Sequence, residues 1–364
     1  MSDEVPDLDG ARYAALLRAG QLAGRELAGA DLTGVDARGS NLRDSALLEV
    51  VLVGATLAGA DLSSSSIREC DLSFTNLSNL RASASRLVSC TVVGAVAHRA
   101  VLDDAHLLEC DLSRIDGRDA SLARAAVNNC LASEACLAGV DLDQAILAGT
   151  QFSRAVLSRA RLRGASLTAV LLEGAVGVEV DLTSCEIRDS DFSRITAPGS
   201  LFRNALLAGV KAADADLSRS DFSGTTAAES MFERSTLWRS TFIGSRFTNC
   251  SFEFADLRSI DSLEGDFTGT SFVGADLRGA RLHRCVLRDV DFYWADLTDC
   301  EFLGCDTAGA RFPEAVRVAY GPEGAAPPLV APKPLYRAPA TEEAYREMLS
   351  FCGNSDLEVQ DTPQ

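Results

Sequence analysis

Eleven cysteines and three histidines are the residues of this chain best suited to nucleophilic or metal chemistry. Four of the cysteines are spaced 20 residues apart: Cys70, Cys90, Cys110 and Cys130. Such a series could build a disulfide or metal framework if the fold brought the thiols together. The histidines, His98, His106 and His283, follow no common interval. The sequence therefore pairs none of them with a nucleophile or with another ligand.

The positions of these side chains are set by a sequence pattern that repeats every five residues. Nearly every residue from 22 to 312 whose number ends in 2 or 7 is large and apolar, first leucine and later phenylalanine, as at Leu22, Leu27 and Phe222. A small residue lies two positions earlier, as at Ala30 and Cys70. Neither the 3.6-residue period of a helix nor the two-residue period of a strand produces this pattern. A fixed short period indicates a stacked array whose units bury their apolar side chains against neighbouring units.

The repeating unit, A-D/N-L-x-x, resembles the pentapeptide repeat family. It is written as AlaAspLeu at 30–32, 60–62 and 255–257, and as SerAspPhe at 190–192 and 220–222. The resemblance implies an all-β solenoid, a right-handed quadrilateral β-helix with four pentapeptides in each 20-residue coil. Residues 21–313 would then form about 14–15 coils, a rod roughly 70 Å long at the usual spacing between strands.

The five-residue period also explains the positions of the cysteines. Nine of the eleven occupy the inward slot for small residues, where alanine, serine and threonine alternate with them. A small buried side chain suits that slot, so we expect structural thiols rather than disulfides. Cys285, Cys300 and Cys305 suggest zinc, but His283 should point outward while they point inward. We expect no metal, no cofactor and no catalytic residues, and therefore no enzyme.

The flanks depart from the repeat. Residues 1–20 form a capping segment with a short helix over 9–19. Residues 314–364 form a tail that begins rich in proline, with six of the ten prolines between 321 and 340. A helix is expected near 341–351, capped by Thr341.

Charge limits the partners. The chain carries 34 basic and 52 acidic residues, a formal net charge of −18. Binding to nucleic acid needs cationic side chains, so we expect no direct nucleic-acid partner. An acidic start without a secretory signal, and no apolar run long enough for a bilayer, predict a cytoplasmic protein without a membrane partner.

The resemblance also suggests a function. Quinolone-resistance and gyrase-protecting members of the family are acidic rods that mimic duplex DNA on type II topoisomerases. It implies that this protein binds DNA gyrase or topoisomerase IV, with drug resistance as a consequence. The outward acids that would form the binding face are Asp103, Asp104, Asp141, Asp143, Asp181, Asp221, Asp261 and Glu264. The alternatives are ordinary turn chemistry for these acids and, for the protein, a scaffold or adaptor with an unrelated protein partner.

Outward aromatic residues concentrate toward the end of the repeat. They are Trp238, Phe254, Tyr293 and Trp294. Exposed rings need a cover or a partner. Two arrangements would supply one: the tail folds back over them, or a homodimer forms through the C-terminal end.

Overall fold

The computed structural model describes residues 10–313, which form a parallel β-solenoid with one short helix. The helix and the strands, in chain order, are α1 Gly10–Arg18, β1 Glu26–Ala28, β2 Ala46–Leu48, β3 Ser66–Arg68, β4 Arg86–Val88, β5 His106–Leu108, β6 Ala126–Asn128, β7 Ile146–Ala148, β8 Ser166–Thr168, β9 Glu186–Arg188, β10 Leu206–Ala208, β11 Thr226–Ala228, β12 Arg246–Thr248, β13 Asp261–Leu263, β14 Arg281–His283 and β15 Glu301–Leu303. The solenoid predicted from the five-residue period is confirmed. The segment 314–364, with the helix expected near 341–351, lies outside the described residues, as does the expected Asp9 cap.

Each coil contains 20 residues and has four sides. Leu27 pairs with Leu47 in the β1–β2 ladder, and on each of the other three sides a single parallel bridge joins one residue, such as Asp31, to the residue 20 positions later. We name the sides by their residues. Side A contains 21–25, side B 26–30, side C 31–35 and side D 36–40, and each recurs every 20 residues. Residues with numbers 20 apart therefore stack along the rod axis, about 4.8 Å from one another.

The core is a continuous column of inward side chains. The large residues at positions ending in 2 and 7 are buried, with Leu27 and Phe222 each no more than 1% exposed. In the second half phenylalanine rings form ladders. Phe202 stacks on Phe222 with ring centroids 4.7 Å apart, and Phe222 stacks on Phe242 at 5.1 Å. Stacking at the coil spacing lets each ring bury both faces, so the core extends along the rod without a globular centre.

The corners of the rod depend on left-handed backbone. The fourth residue of each pentapeptide has a positive φ, for example 68° at Gly24 and 53° at Arg99. On sides A, C and D the next amide closes a turn, as where Arg25 N–H donates to the Leu22 carbonyl at 3.1 Å. A positive φ at the third residue of such a turn is the type II pattern, which favours Gly and Asn. The glycines, asparagines and aspartates of the repeat therefore serve the corners.

Side B is built differently as far as residue 250, because it carries the strands β1–β12 in place of the turns. In several coils, the amide two residues after the strand donates a hydrogen bond to a side chain of the next coil. Val50 N–H donates to Cys70 Sγ at 3.4 Å, and Val170 N–H donates to Ser190 Oγ at 3.1 Å. From residue 261 the strands β13–β15 lie on side A instead. A residue with a small polar or sulfur-bearing side chain thus suits the position that follows a strand.

This strand corner explains most of the cysteines. The free thiols at this corner are Cys70, Cys90, Cys110, Cys130, Cys250, Cys285 and Cys305. When the strands move from side B to side A, the cysteines move with them, and Cys285 Sγ then contacts the carbonyl of His283 at 3.4 Å. Burial raises the pKa of Cys250 to about 11, so that thiol stays protonated at neutral pH.

Replacing Ser230 by alanine tests the role of this corner. Ser230 Oγ accepts a hydrogen bond from Val210 N–H at 3.2 Å and is fully buried. The alanine variant leaves that amide without its acceptor, so we expect the free energy of unfolding to fall by about 1–3 kcal/mol. Ser230→Cys should recover part of the lost stability, because a cysteine at the equivalent position of another coil, Cys70, accepts the same kind of amide hydrogen bond. Denaturant unfolding measures both.

Ser235→Ala is the matched control. Its hydroxyl donates to the Phe232 carbonyl at 2.7 Å, but that carbonyl also accepts the turn bond from Ser235 N–H. No amide is orphaned, so we expect a loss below about 1 kcal/mol. Equal losses for the two alanine variants would contradict the proposed role of the strand corner.

Candidate protein-binding surface

The eight acids singled out in the sequence all lie on side A, between residues 103 and 264. The structure thus brings them to one side of the rod, but most are engaged by arginines or by turn amides. Asp104 forms two hydrogen bonds of 2.8 Å with the Arg124 guanidinium, which hold the pKa of the carboxyl below its usual value. Asp141 accepts from Asp143 N–H at 3.0 Å and pairs with Arg161. These carboxylates support the coil and carry little unbalanced charge.

All but one of the remaining acids are likewise engaged by arginines or by backbone amides. Asp143 pairs with Arg163, Asp221 with Arg203 and Glu264 with Arg284. Two others accept hydrogen bonds from backbone amides, Asp103 from Ala123 N–H in the next coil and Asp181 from Thr183 N–H two residues later. Asp261, exposed at the start of β13, has no ion pair with any residue in 10–313. Side A therefore alternates charge along the rod and does not form an acidic stripe.

A second set of acids lies on side B at the left-handed corner and was not singled out from the sequence. We call it the carboxylate column: Glu49, Glu69, Glu109, Asp189, Glu229 and Asp289. All six are exposed, and within residues 10–313 none forms an ion pair. The stacked positions between them hold serine, asparagine, glycine or alanine, and no lysine or arginine. The sequence signal was available, since the acids recur at numbers ending in 9 on a 20-residue interval.

The aromatic residues near the C-terminal end divide into separate groups. Tyr293 and Trp294 stack with ring centroids 4.8 Å apart and remain 43% and 67% exposed. The Phe254 ring, 48% exposed, lies on Gly274 so closely that a Cβ there would be 2.6 Å from the ring. A glycine at 274 is therefore required on two grounds, this ring and a φ of 67°.

Trp238 does not join this group. Its ring lies on side D between the guanidinium groups of Arg219 and Arg239, whose central carbons are 5.0 and 4.4 Å from its centroid. No ring contact among the described residues joins Trp238 or Phe254 to the Tyr293–Trp294 pair. The sequence grouped four rings, and the structure keeps only Tyr293 and Trp294 in contact.

One cluster on side D has the residue types of a hydrolase. His98 Nε2 lies 2.7 Å from Asp116, and Arg118 donates to the same carboxylate at 2.8 Å. Burial favours the protonated form of Asp116, but the Arg118 and His98 hydrogen bonds outweigh it and lower the pKa. Ser78 lines the same shallow pocket, yet within the described coils no hydrogen bond connects it to His98. The cluster is a surface ion pair without an activated nucleophile.

In residues 10–313 no group of three or more His, Cys, Asp or Glu residues is arranged to hold a metal ion. No helix in this part of the chain is long and apolar enough to cross a bilayer.

A rod of stacked coils with a continuous inward core, and with its charged side chains and exposed rings on the outer surface, defines a repeat protein of the structural or binding class. The chain belongs to the pentapeptide repeat family. Eight copies of the family model for pentapeptide repeats match residues 26–63, 47–79, 135–174, 160–196, 185–224, 200–239, 228–261 and 266–304.

Solved pentapeptide repeat proteins match the chain at low identity. HetL, involved in heterocyst differentiation regulation in Nostoc sp. strain PCC 7120, is 20% identical; the match covers 84% of this chain and 94% of HetL with a TM-score of 0.23. Full-length QnrB1, a plasmid-mediated fluoroquinolone resistance protein, is 19% identical over 62% of this chain and 92% of its own, with a TM-score of 0.24. A protein of the Arabidopsis thaliana thylakoid lumen is 22% identical over 29% of this chain and 72% of its own, with a TM-score of 0.28. No curated protein sequence matches the chain.

Proposed function

We propose that this protein is a non-enzymatic binding protein whose acidic rod occupies a basic DNA-binding surface of a type II topoisomerase, gyrase or topoisomerase IV, in place of duplex DNA. The carboxylate column supports this proposal. Its acids are exposed and unpaired, and stacked corners fix their positions, as phosphates are fixed along a DNA strand. The proposal places the protein where the topoisomerase works, in the bacterial cytoplasm, and makes protection from quinolone-like drugs a possible consequence of binding.

The average charge density of the rod is well below that of duplex DNA. Duplex DNA carries one negative charge per about 1.7 Å of its axis. Residues 21–313 carry a net charge of −12, which over a rod roughly 70 Å long gives one per about 6 Å. A mimic of this density cannot match DNA everywhere. Its acids must be concentrated where the partner is basic, and side B offers such a concentration at Glu49 and Glu69, on adjacent coils.

The test is inhibition of gyrase supercoiling by the purified protein, or relief of quinolone poisoning, as a function of salt. We expect the effective concentration to rise with ionic strength, because exposed charge pairs are screened. The triple variant Glu49→Gln, Glu69→Gln and Glu109→Gln should weaken inhibition by about tenfold or more at low salt.

A matched triple variant on side A separates the column from net charge. Asp104→Asn, Asp141→Asn and Asp221→Asn removes the same number of charges, but from acids engaged by arginines. We expect it to change inhibition by less than about twofold. Equal effects of the two variants would refute the column as the binding site, and no inhibition by folded wild-type protein would refute topoisomerase binding.

A scaffold or adaptor role with another protein partner is the second candidate, supported by the exposed Tyr293–Trp294 pair. Large stacked rings at the end of a rod suit a protein contact, including a two-fold contact between copies of this chain. The gyrase assay distinguishes the candidates, since a scaffold of this kind leaves supercoiling unchanged.

A further inference from the structure

Side D carries an apolar patch that is buried although its side chains point away from the core. Cys136, Val156 and Val176 stack on three consecutive coils and are 4%, 5% and 3% exposed. Cys136 and Val156 form a small hydrophobic cluster of their own with Ala138 packed against it, separate from the core. Together Cys136, Val156 and Val176 are the side D patch.

Stacking within the rod does not account for this burial. Val96 has the same outward position on side D, two coils before Cys136, and is only half-buried. Outward aliphatic side chains on side C remain more exposed, with Val51 at 36% and Leu131 at 39%. At these three positions the neighbours above and below leave an outward aliphatic side chain partly open to solvent. Cover by chain outside the regular coils accounts for the lower exposure of the side D patch.

The cysteines indicate which part of the chain supplies the cover. Cys136 is disulfide-bonded, while the other nine cysteines of residues 10–313 are free thiols. The chain has eleven cysteines, so Cys352 alone remains as a partner within it. Cys352 follows the segment for which the sequence predicts a helix.

The sequence around Cys352 has the apolar spacing that this patch requires. The apolar or thiol residues recur at intervals of three and four: Ala344, Tyr345, Met348, Leu349 and Cys352. On a helix these side chains share one face, which could lie along a groove of aliphatic side chains. Glu342, Glu343, Arg346 and Glu347 would then face solvent.

The connecting chain is long enough to reach the patch. Residue 313 lies about eight coils beyond Val156, a distance of about 38 Å along the rod. The 27 residues from 314 to 340 span about 80 Å when extended in the polyproline conformation, which their prolines favour.

We propose that residues 341–352 of this same chain dock on the side D patch and that a Cys136–Cys352 disulfide fastens them there. Bond formation joins the two sulfur atoms and releases two protons and two electrons, which reduce a small-molecule disulfide such as oxidised glutathione to two thiols. Under reducing conditions only the apolar contact holds the segment. Docking at this site leaves the carboxylate column on side B and the Tyr293–Trp294 pair uncovered, so the inference is independent of the proposed function.

Peptide mapping without reduction tests the link. A mixture of unlabelled and ¹⁵N-labelled full-length chains is equilibrated with oxidised glutathione and then digested. We expect one major cross-linked species, containing Cys136 and Cys352 peptides of the same isotope. Linked peptides of mixed isotope would show that a second copy supplies the segment, and absence of the linked peptide would overturn the disulfide.

Tryptic cleavage after Arg346 in a reducing buffer tests the apolar contact. Val176→Asp places a charge in the patch, so we expect cleavage about tenfold faster than in the wild type. Val96→Asp makes the same change in the same column outside the patch and should alter the rate less than about twofold. Circular dichroism confirms that both variants are folded, and equal cleavage rates in all three proteins would refute the docking site.

Discussion

Replacing Phe242 by alanine is expected to lower the free energy of unfolding by about 3–5 kcal/mol, the cost of a large cavity that rigid neighbours cannot close. The ring is 1% exposed. It stacks on Phe222 at 5.1 Å and meets Phe247 edge to face at 5.3 Å. The coils above and below fix these neighbours, so relaxation into the cavity is limited. Denaturant unfolding measures the loss.

The next residue provides the control. Ile243 is also large and aliphatic, but it points outward and is 43% exposed. Ile243→Ala removes little buried surface, so we expect a loss below about 1 kcal/mol. Similar losses at 242 and 243 would contradict the assignment of inward and outward positions on which the fold rests.

Deleting Ala95 alone is expected to cost about 4 kcal/mol or more, since one missing residue breaks the 20-residue coil. The turn from Val92 to Ala95 closes through a bond of 3.3 Å, and the bridges Thr91↔Asp111 and Val96↔Asp116 flank it. With four residues between these bridges reduced to three, both pairings cannot keep their register. Thermal unfolding followed by circular dichroism measures the effect.

Deleting the whole coil 81–100 should be far better tolerated than deleting one residue. The register is preserved, because Leu62 then stacks on Leu102 and Cys70 on Cys110, pairs of the same residue types. A solenoid is stabilised by contacts between neighbouring units, so the variant loses one unit and one interface out of many. We expect an unchanged β signal per residue. If this deletion proved as damaging as removal of Ala95, the coil would not be the repeating structural unit.

The fold could be predicted from the sequence because each coil repeats the same pattern of small and large apolar residues. An apolar residue at Leu27 and again at Leu47 buries the same slot in successive coils, and no distant segment is needed to decide which way it points. The inward cysteines followed from the same rule, since a small buried side chain satisfies their slot. The sequence could not assign the strand to one side of the coil, because the pentapeptides of the four sides are nearly alike. Only the structure places it on side B and moves it to side A beyond residue 250.

Contacts between neighbouring coils determine which acids of the candidate surface are left without an ion pair. Asp141 and Glu49 are both outward acids in the sequence, yet Asp141 pairs with Arg161 while Glu49 has no ion pair in the described rod. Whether a carboxylate is balanced depends on the side chains about one coil away and on their directions, which composition does not reveal. The burial of Val156 likewise required the folded chain, because a solvent-facing slot in the repeat is apolar there and covered. The sequence by itself determined the rod and its core, since these depend on a local period. Only the tertiary structure decided which of its outward charges and apolar side chains remain available, since that depends on neighbours 20 or more residues away.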